Sequence, residues 1–376
     1  MKQKLTFVLI ILIILSTLSS CTGIDIQFEK NMTTTMPDTT VPDDIEEKPL
    51  SIVCLAGTPN CYKIEGTTIT FTTVNAETVY AISGTFKGNI VIDTGDNYKF
   101  DLEMHGFTLL CDYTSPITVL SGDEVSLKAK KDYNNYIYDS REVLDVNDVT
   151  QEDAAIYSEV DLEIAGKGNL VVNSKNNNGI HTKDDLQIKN LTLNVSCKDN
   201  ALKGNDSVEI TDAITTLIAS EGDCIKTTNS HINANTGNQK GTVYIAGGNH
   251  TLYAAGDGID SSYDVIIEKS AQYNTKISIF TGKYSKYSDV SSVSSSNGIK
   301  VTNEIVIKSG TVDIQSYSEG IYTKIDGGIL ENGSAPKGNV TISGGSVSIK
   351  SSNKGIKVDG NLSVAEGTLT LNEYCE

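Results

Sequence analysis

An aliphatic residue following a small one recurs along most of this chain, and that repeat restricts the fold more than any other feature. The pairs are Ala155-Ile156, Gly179-Ile180, Ala201-Leu202, Cys224-Ile225, Gly258-Ile259, Gly298-Ile299, Gly320-Ile321 and Gly355-Ile356. The aliphatics stand 24, 22, 23, 34, 40, 22 and 35 residues apart. The short spacings read as one structural unit. The long ones read as the same unit carrying an inserted loop, such as the Ser/Tyr-rich stretch from Thr281 to Ser296.

The register inside each unit is also kept. In six units apolar residues sit six and eight places after the anchor: Leu162/Ile164, Leu186/Ile188, Val208/Ile210, Val265/Ile267, Ile305/Ile307 and Leu362/Val364. A spacing of two puts both on one face of a strand. A third pair follows a polar or Gly turn, as in Leu170/Val172, Leu191/Leu193, Val312/Ile314, Val347/Ile349 and Leu369/Leu371. Three short strands per repeat predict an all-β parallel β-helix, a solenoid whose coils pair along its axis. An antiparallel sandwich also has many short strands, but it does not require a constant offset of six and eight. Residues 51–376 allow about 13 or 14 coils, a stack on the order of 60 Å at the usual strand spacing. Residues 151–376 hold the clear repeats. Residues 51–150 are less regular and are expected to form the first coils and an N-terminal cap over the open strand edge.

The first residues read as export and anchoring signals. Lys2 and Lys4 precede an apolar run from Leu5 to Leu15, too short to span a bilayer. Leu18-Ser19-Ser20-Cys21 then resembles a bacterial lipobox. Residues 1–20 are thus expected to be a lipoprotein signal peptide and Cys21 the lipidated residue. A Thr/Pro/acidic tether follows over 21–50. These expectations place the protein in the cell envelope, outside the cytoplasm, touching the membrane through its lipid alone and as a monomer.

The formal charge is −18, from 30 basic against 48 acidic residues, and Arg141 is the sole arginine. That balance argues against nucleic acid as a partner, since phosphate neutralisation needs a basic face. Four histidines and no CxxC pair argue against zinc. Cys54 and Cys61 are close enough in sequence to bridge, whereas Cys197 and Cys224 read as small buried hydrophobes.

Polar residues stand just before each anchor: Asp153, Asn178, Asn200 beside Asp199, Asp223, Asp257, Asn297, Glu319 and Asn353. Equal offsets stack, so Asp223 and Asp257 should be neighbours, and Asp206 should lie near Asp184 and Asn229. Carboxylates at the strand spacing repel by about 3.5 kcal/mol at an effective dielectric of 20. Either lysines (Lys203, Lys226, Lys300) or a hard divalent cation must neutralise them. Calcium accepts carboxylate, amide and water oxygens. Asp184, Asp199, Asp206, Asp223, Asp257 and Asp260 are the candidate ligands for Ca2+. The asparagines alone could instead form a hydrogen-bonded ladder.

The stretches Asp153 to Ser158, Asn178 to Leu186 and Gly256 to Ser261 resemble the carbohydrate-binding-domain-containing family of secreted bacterial proteins. That resemblance implies a calcium-binding, right-handed parallel β-helix similar in shape to pectate lyases. It also implies non-catalytic binding of plant-type cell-wall polysaccharide, cellulosic or pectic. By position it makes Asp199, Asp206, Asp223, Asp257 and Asp260 metal ligands, though Asn178, Asn200, Asn297, Glu319 and Asn353 depart from an all-aspartate pattern. Tyr263, Tyr322, Lys226 and Lys300 are the candidate glycan contacts, and Tyr133, Tyr136, Tyr138, Tyr284, Tyr287 and Tyr317 offer further stacking faces. An acidic glycan would be repelled by this chain unless calcium bridges carboxylates on both sides. Two other functions compete. A calcium-dependent pectate-type lyase would need Lys226 or Lys203 as base, or Arg141. An adhesin or structural spacer would need no glycan.

Overall fold

The computed structural model describes residues 45–142, 152–233, 236–288, 295–325 and 335–372. The signal segment, Cys21 and most of the tether lie outside the described residues. Within them the chain is all-β, a solenoid-like arrangement of parallel strands. One 3-10 turn, Gly282–Tyr284, is the sole helical element among the described residues.

The eight anchors form one continuous line. Ile156 pairs with Ile180, Ile180 with Leu202 and Leu202 with Ile225, all in parallel. The line continues through Ile259, Ile299 and Ile321 to Ile356. All but Ile356 are buried. This first ladder has twelve strands, of which the first, Tyr62–Glu65, runs antiparallel to Thr68–Phe71. That is fewer than the residue count allowed, because inserted loops use up chain without adding a coil. At the N-terminal edge Ser51–Ala56 also pairs antiparallel, with Thr78–Lys87.

The second strand of each coil stacks in the same way. Leu162, Leu186, Val208, Val243, Val265, Ile305, Val340 and Leu362 are successive partners. Val243 and Val340 complete the two units whose offset of six is broken. The interruptions, between Thr227 and Thr242 and between Thr323 and Asn339, are inserted after the first strand. Second and third strands fuse in Ser207–Ala219 and Thr242–Ala254, which joins their ladders into one 19-stranded sheet.

In the third ladder one register reading is corrected. Leu193 and Val195, not Leu191 and Leu193, align with Leu170 and Val172. Leu191 is buried in the preceding turn, after Asn190 has taken a left-handed backbone with φ 62°. The same ladder carries a polar pair where its neighbours are aliphatic. Leu193 is followed by Thr215, then His250, then Ile277. The carbonyl of Gly247 lies 3.0 Å from His250 Nε2, so that nitrogen donates, and Nδ1 accepts the Thr215 hydroxyl at 3.1 Å.

Burial pulls the His250 pKa down to about 4. The folded protein therefore keeps this imidazole neutral while an unfolded chain takes up a proton near pH 6.5. The resulting stability is complete above about pH 6.5 and is lost as pH falls towards 4. Urea unfolding should show about 2–3 kcal/mol less stability at pH 4.5 than at pH 7 from this group. A His250→Gln variant should lack that increment, and equal acid sensitivity in both proteins would refute the assignment.

The cysteines at 54, 61, 111, 197 and 224 are free thiols. Cys197 and Cys224 are buried, as small hydrophobes would be. The bridge considered for Cys54 and Cys61 is not formed. The Cys61 backbone N–H instead bonds the Tyr80 hydroxyl at 3.2 Å, and the Cys54 thiol donates to backbone carbonyls of its own turn.

Candidate functional site

Two strips flank the first ladder. Each anchor points inward, so the next residue points out. In register these outward residues are Tyr157, His181, Lys203, Lys226, Asp260, Lys300, Tyr322 and Lys357. Lys226, Lys300, Asp260 and Tyr322 from the candidate set therefore share one column. Tyr263 does not. It sits in the turn after Ile259–Ser261, its N–H bonded to the Gly241 carbonyl at 3.1 Å.

Beside that column the residues preceding the anchors form a side-chain ladder. Asn178 Oδ1 accepts the backbone N–H of Asn200 at 3.0 Å, and Asn200 Oδ1 accepts that of Asp223 at 3.1 Å. Asp223 Oδ1 accepts Asp257 N–H at 2.6 Å, and Asp257 Oδ1 accepts Asn297 N–H at 2.7 Å. Asn297 Oδ1 then accepts Glu319 N–H at 3.2 Å. Asp223 and Asp257 are thus adjacent, and aspartates and asparagines serve the same ladder. The sequence pointed to a ladder for the asparagines alone.

The second carboxylate oxygens face lysines. Lys226 Nζ lies 2.6 Å from Asp223 and 3.6 Å from Asp260. Lys300 Nζ lies 3.0 Å from Asp260 and 3.3 Å from Asp257. Burial works against the Lys226 ammonium, yet Asp223 and Asp260 carry its pKa above the ordinary value. Lys300 is raised in the same way by Asp257 and Asp260. Asp257 is pushed up to about 6 by burial and by the Asp223 charge. Two lysines thus offset most of the charge of these three carboxylates. Asp199 is exposed at the neighbouring corner, its N–H on the Asn177 carbonyl at 3.2 Å.

A second acidic group lies at the corner after the first strand. Asp161, Asp184 and Asp185 each direct a carboxylate oxygen to a common region, within 4.8 Å of one another. Asp206 follows one coil on, with its N–H on the Asp184 carbonyl at 3.2 Å. Asn229 Nδ2 donates to Asp206 at 2.6 Å, and Lys240 pairs with the same carboxylate. Burial pushes Asp184 up to about 7, helped by its hydrogen bond to Asp206 and the charge of Asp161. Asp161 and Asp185 were not among the candidate ligands. Their signal was present, since Asp161 and Asp185 stand at the same offset from Ile156 and Ile180.

Parallel coils that carry continuous strips of ionic, amide and aromatic side chains define a protein with an extended polar surface. The sequence profile described as carbohydrate-binding domain-containing protein matches residues 65–337, and the chain belongs to that family. A curated relative of the same description, from Acetivibrio thermocellus, is 34% identical over 113 residues. The match covers 29% of this chain and 39% of that relative, so the chain spans about two fifths of its length. A solved structure of a polysaccharide lyase-like protein from C. thermocellum, a gadolinium derivative, superposes with a TM-score of 0.45 at 23% identity. It covers 84% of this chain and 94% of its own.

Proposed function

We propose that this protein is a non-catalytic, calcium-dependent binder of cell-wall polysaccharide, cellulosic or pectic, held at the cell surface as a lipoprotein through Cys21. The solenoid is read as an open, right-handed β-helix, the hand that parallel crossovers almost always take. Membership of the carbohydrate-binding family carries the glycan reading. The state of the basic groups supports binding without cleavage. A base lysine needs a lowered pKa, but Lys226 is raised by its carboxylates. Arg141 is buried against Asp139 at 2.6 Å and turned away from solvent.

For calcium the two acidic groups differ. Around Asp223, Asp257 and Asp260 the ammonium groups of Lys226 and Lys300 take the place a cation would need. Asp161, Asp184 and Asp185 supply hard oxygen donors at one corner, and burial raises the Asp184 carboxyl, so a cation bound there would displace its proton. We therefore place the calcium there, with Asp206 alongside. Bound calcium would neutralise part of the acidic surface and hold adjacent coils together.

Binding of the full chain to insoluble cellulose and to polygalacturonate, measured with calcium and with chelator, tests the proposal. Retention of at least one glycan in calcium is expected, with affinity at least tenfold weaker in chelator. Calcium should also raise the thermal midpoint by several degrees, and Asp161→Asn/Asp184→Asn/Asp185→Asn should abolish that rise. No retention on either glycan would leave the spacer reading. Unsaturated, ultraviolet-absorbing product from polygalacturonate would establish a lyase.

A further inference from the structure

The outer face of the third ladder carries an aromatic group. Tyr253 and Phe280 are register partners on adjacent coils. Their rings stack at 5.1 Å with 15° between planes. The segment after Thr281 folds back over this face. It brings Tyr287 edge-on to Tyr253 at 5.1 Å, and the Tyr284 hydroxyl reaches Ser352 at 3.3 Å.

Lysines gather on these rings. Lys286 Nζ lies 5.1 Å from the Tyr253 ring centre and 4.8 Å from that of Tyr287. Lys283 Nζ lies 5.3 Å from Tyr284, and Lys350 Nζ, on the strand Ser346–Ser351, is 5.6 Å from the same ring. Among the described residues most lysines pair with a carboxylate. Among the described residues none of these three does. A cation held only by aromatic faces keeps most of its charge available to a ligand.

We infer that this tyrosine–lysine face is the docking surface for an anionic polysaccharide, a chain of uronate sugars. The inference rests on the glycan-binding reading above and assigns it a place. Pyranose rings present apolar faces that can lie across the outward edges of the stacked Tyr253 and Phe280 rings. The uronate carboxylates meet Lys283, Lys286 and Lys350, which supplies charge complementarity. Coil spacing sets the two ring edges about 4.8 Å apart, comparable to the advance of one sugar along an extended chain.

The test uses the full chain in calcium throughout, with polygalacturonate and a cello-oligosaccharide as probes. The variant Lys283→Ala/Lys286→Ala/Lys350→Ala removes the cations of this face. A control, Lys63→Ala/Lys131→Ala/Lys269→Ala, removes equal charge elsewhere. Polygalacturonate affinity should fall tenfold or more in the first and less than threefold in the control. Tyr253→Ala should weaken it as well, with circular dichroism confirming the fold. Equal losses in both triple variants would overturn the site in favour of bulk electrostatics. Wild-type binding that survives the first triple variant would overturn the site and leave the function standing. If the wild type binds neither probe, both readings fail.

Discussion

Replacing Arg141 with methionine should cost about 3–5 kcal/mol, close to the largest effect of any single change outside the aliphatic core. The guanidinium is held on every side. Its Nε and Nη2 donate to the two oxygens of Asp139 at 2.7 and 2.6 Å, a bidentate pair with both partners buried. Nη1 donates to the Glu152 carbonyl at 2.8 Å and Nη2 to that of Ala154 at 2.9 Å. Asp139 also accepts from Asn177 at 3.2 Å and Ser174 at 3.3 Å, one coil on. The pair therefore ties the end of the strand Asn134–Asp139 to the start of Ala154–Ser158 and to the next corner. Arg141→Met leaves a carboxylate buried without its cation, which is costlier than never having had the pair. Arg141→Lys should rescue little, because an ammonium cannot make the two parallel bonds and reach both carbonyls. Arg141→Met/Asp139→Leu should recover a large part of the loss. Guanidinium unfolding of the four proteins decides the matter, and a single variant within 1 kcal/mol of wild type would show the pair to be inert.

Arg141 also shows where sequence reading stopped. As the chain's sole arginine it stood out, and lyase chemistry was the one role its residue type suggested. Its partner is two residues away in sequence, but burial of both side chains depends on coils stacking above and below. The anchors were different. A small residue before an aliphatic at a near-constant spacing is a statement about stacking itself, and all eight fell into one ladder. Val243 and Val340 were missed because their insertions precede the second strand and break the offset. Thr215 and His250 were missed because each polar residue is acceptable in the core only beside the other.

The acidic corners follow the same division. Which residues would stack was readable, and Asp223 does lie beside Asp257. Which oxygen does what was not readable, because a carboxylate has two. One oxygen replaces the asparagine carbonyl in the ladder, and the second is free to meet a lysine from the outward column. An asparagine offers the first function without the second. This explains how asparagines and aspartates share one column without altering the backbone.

That division of labour predicts different outcomes at Asp223. Asp223→Ala removes both oxygens. The buried Asp257 N–H loses its acceptor, worth about 1–3 kcal/mol. Lys226 is left with Asp260 alone, at 3.6 Å, and loses the partner that raised its pKa most. Together these should cost about 3–4 kcal/mol. Asp223→Asn keeps the ladder oxygen and relieves the repulsion that raises Asp257. Its cost should be about 1 kcal/mol or less. A metal ligand would behave otherwise, because an amide at a carboxylate site weakens calcium binding and makes the loss calcium-dependent. Unfolding of both variants with calcium and with chelator separates the cases. Equal costs for alanine and asparagine, present only in calcium, would mean that the column holds a cation and that its lysines give way to it.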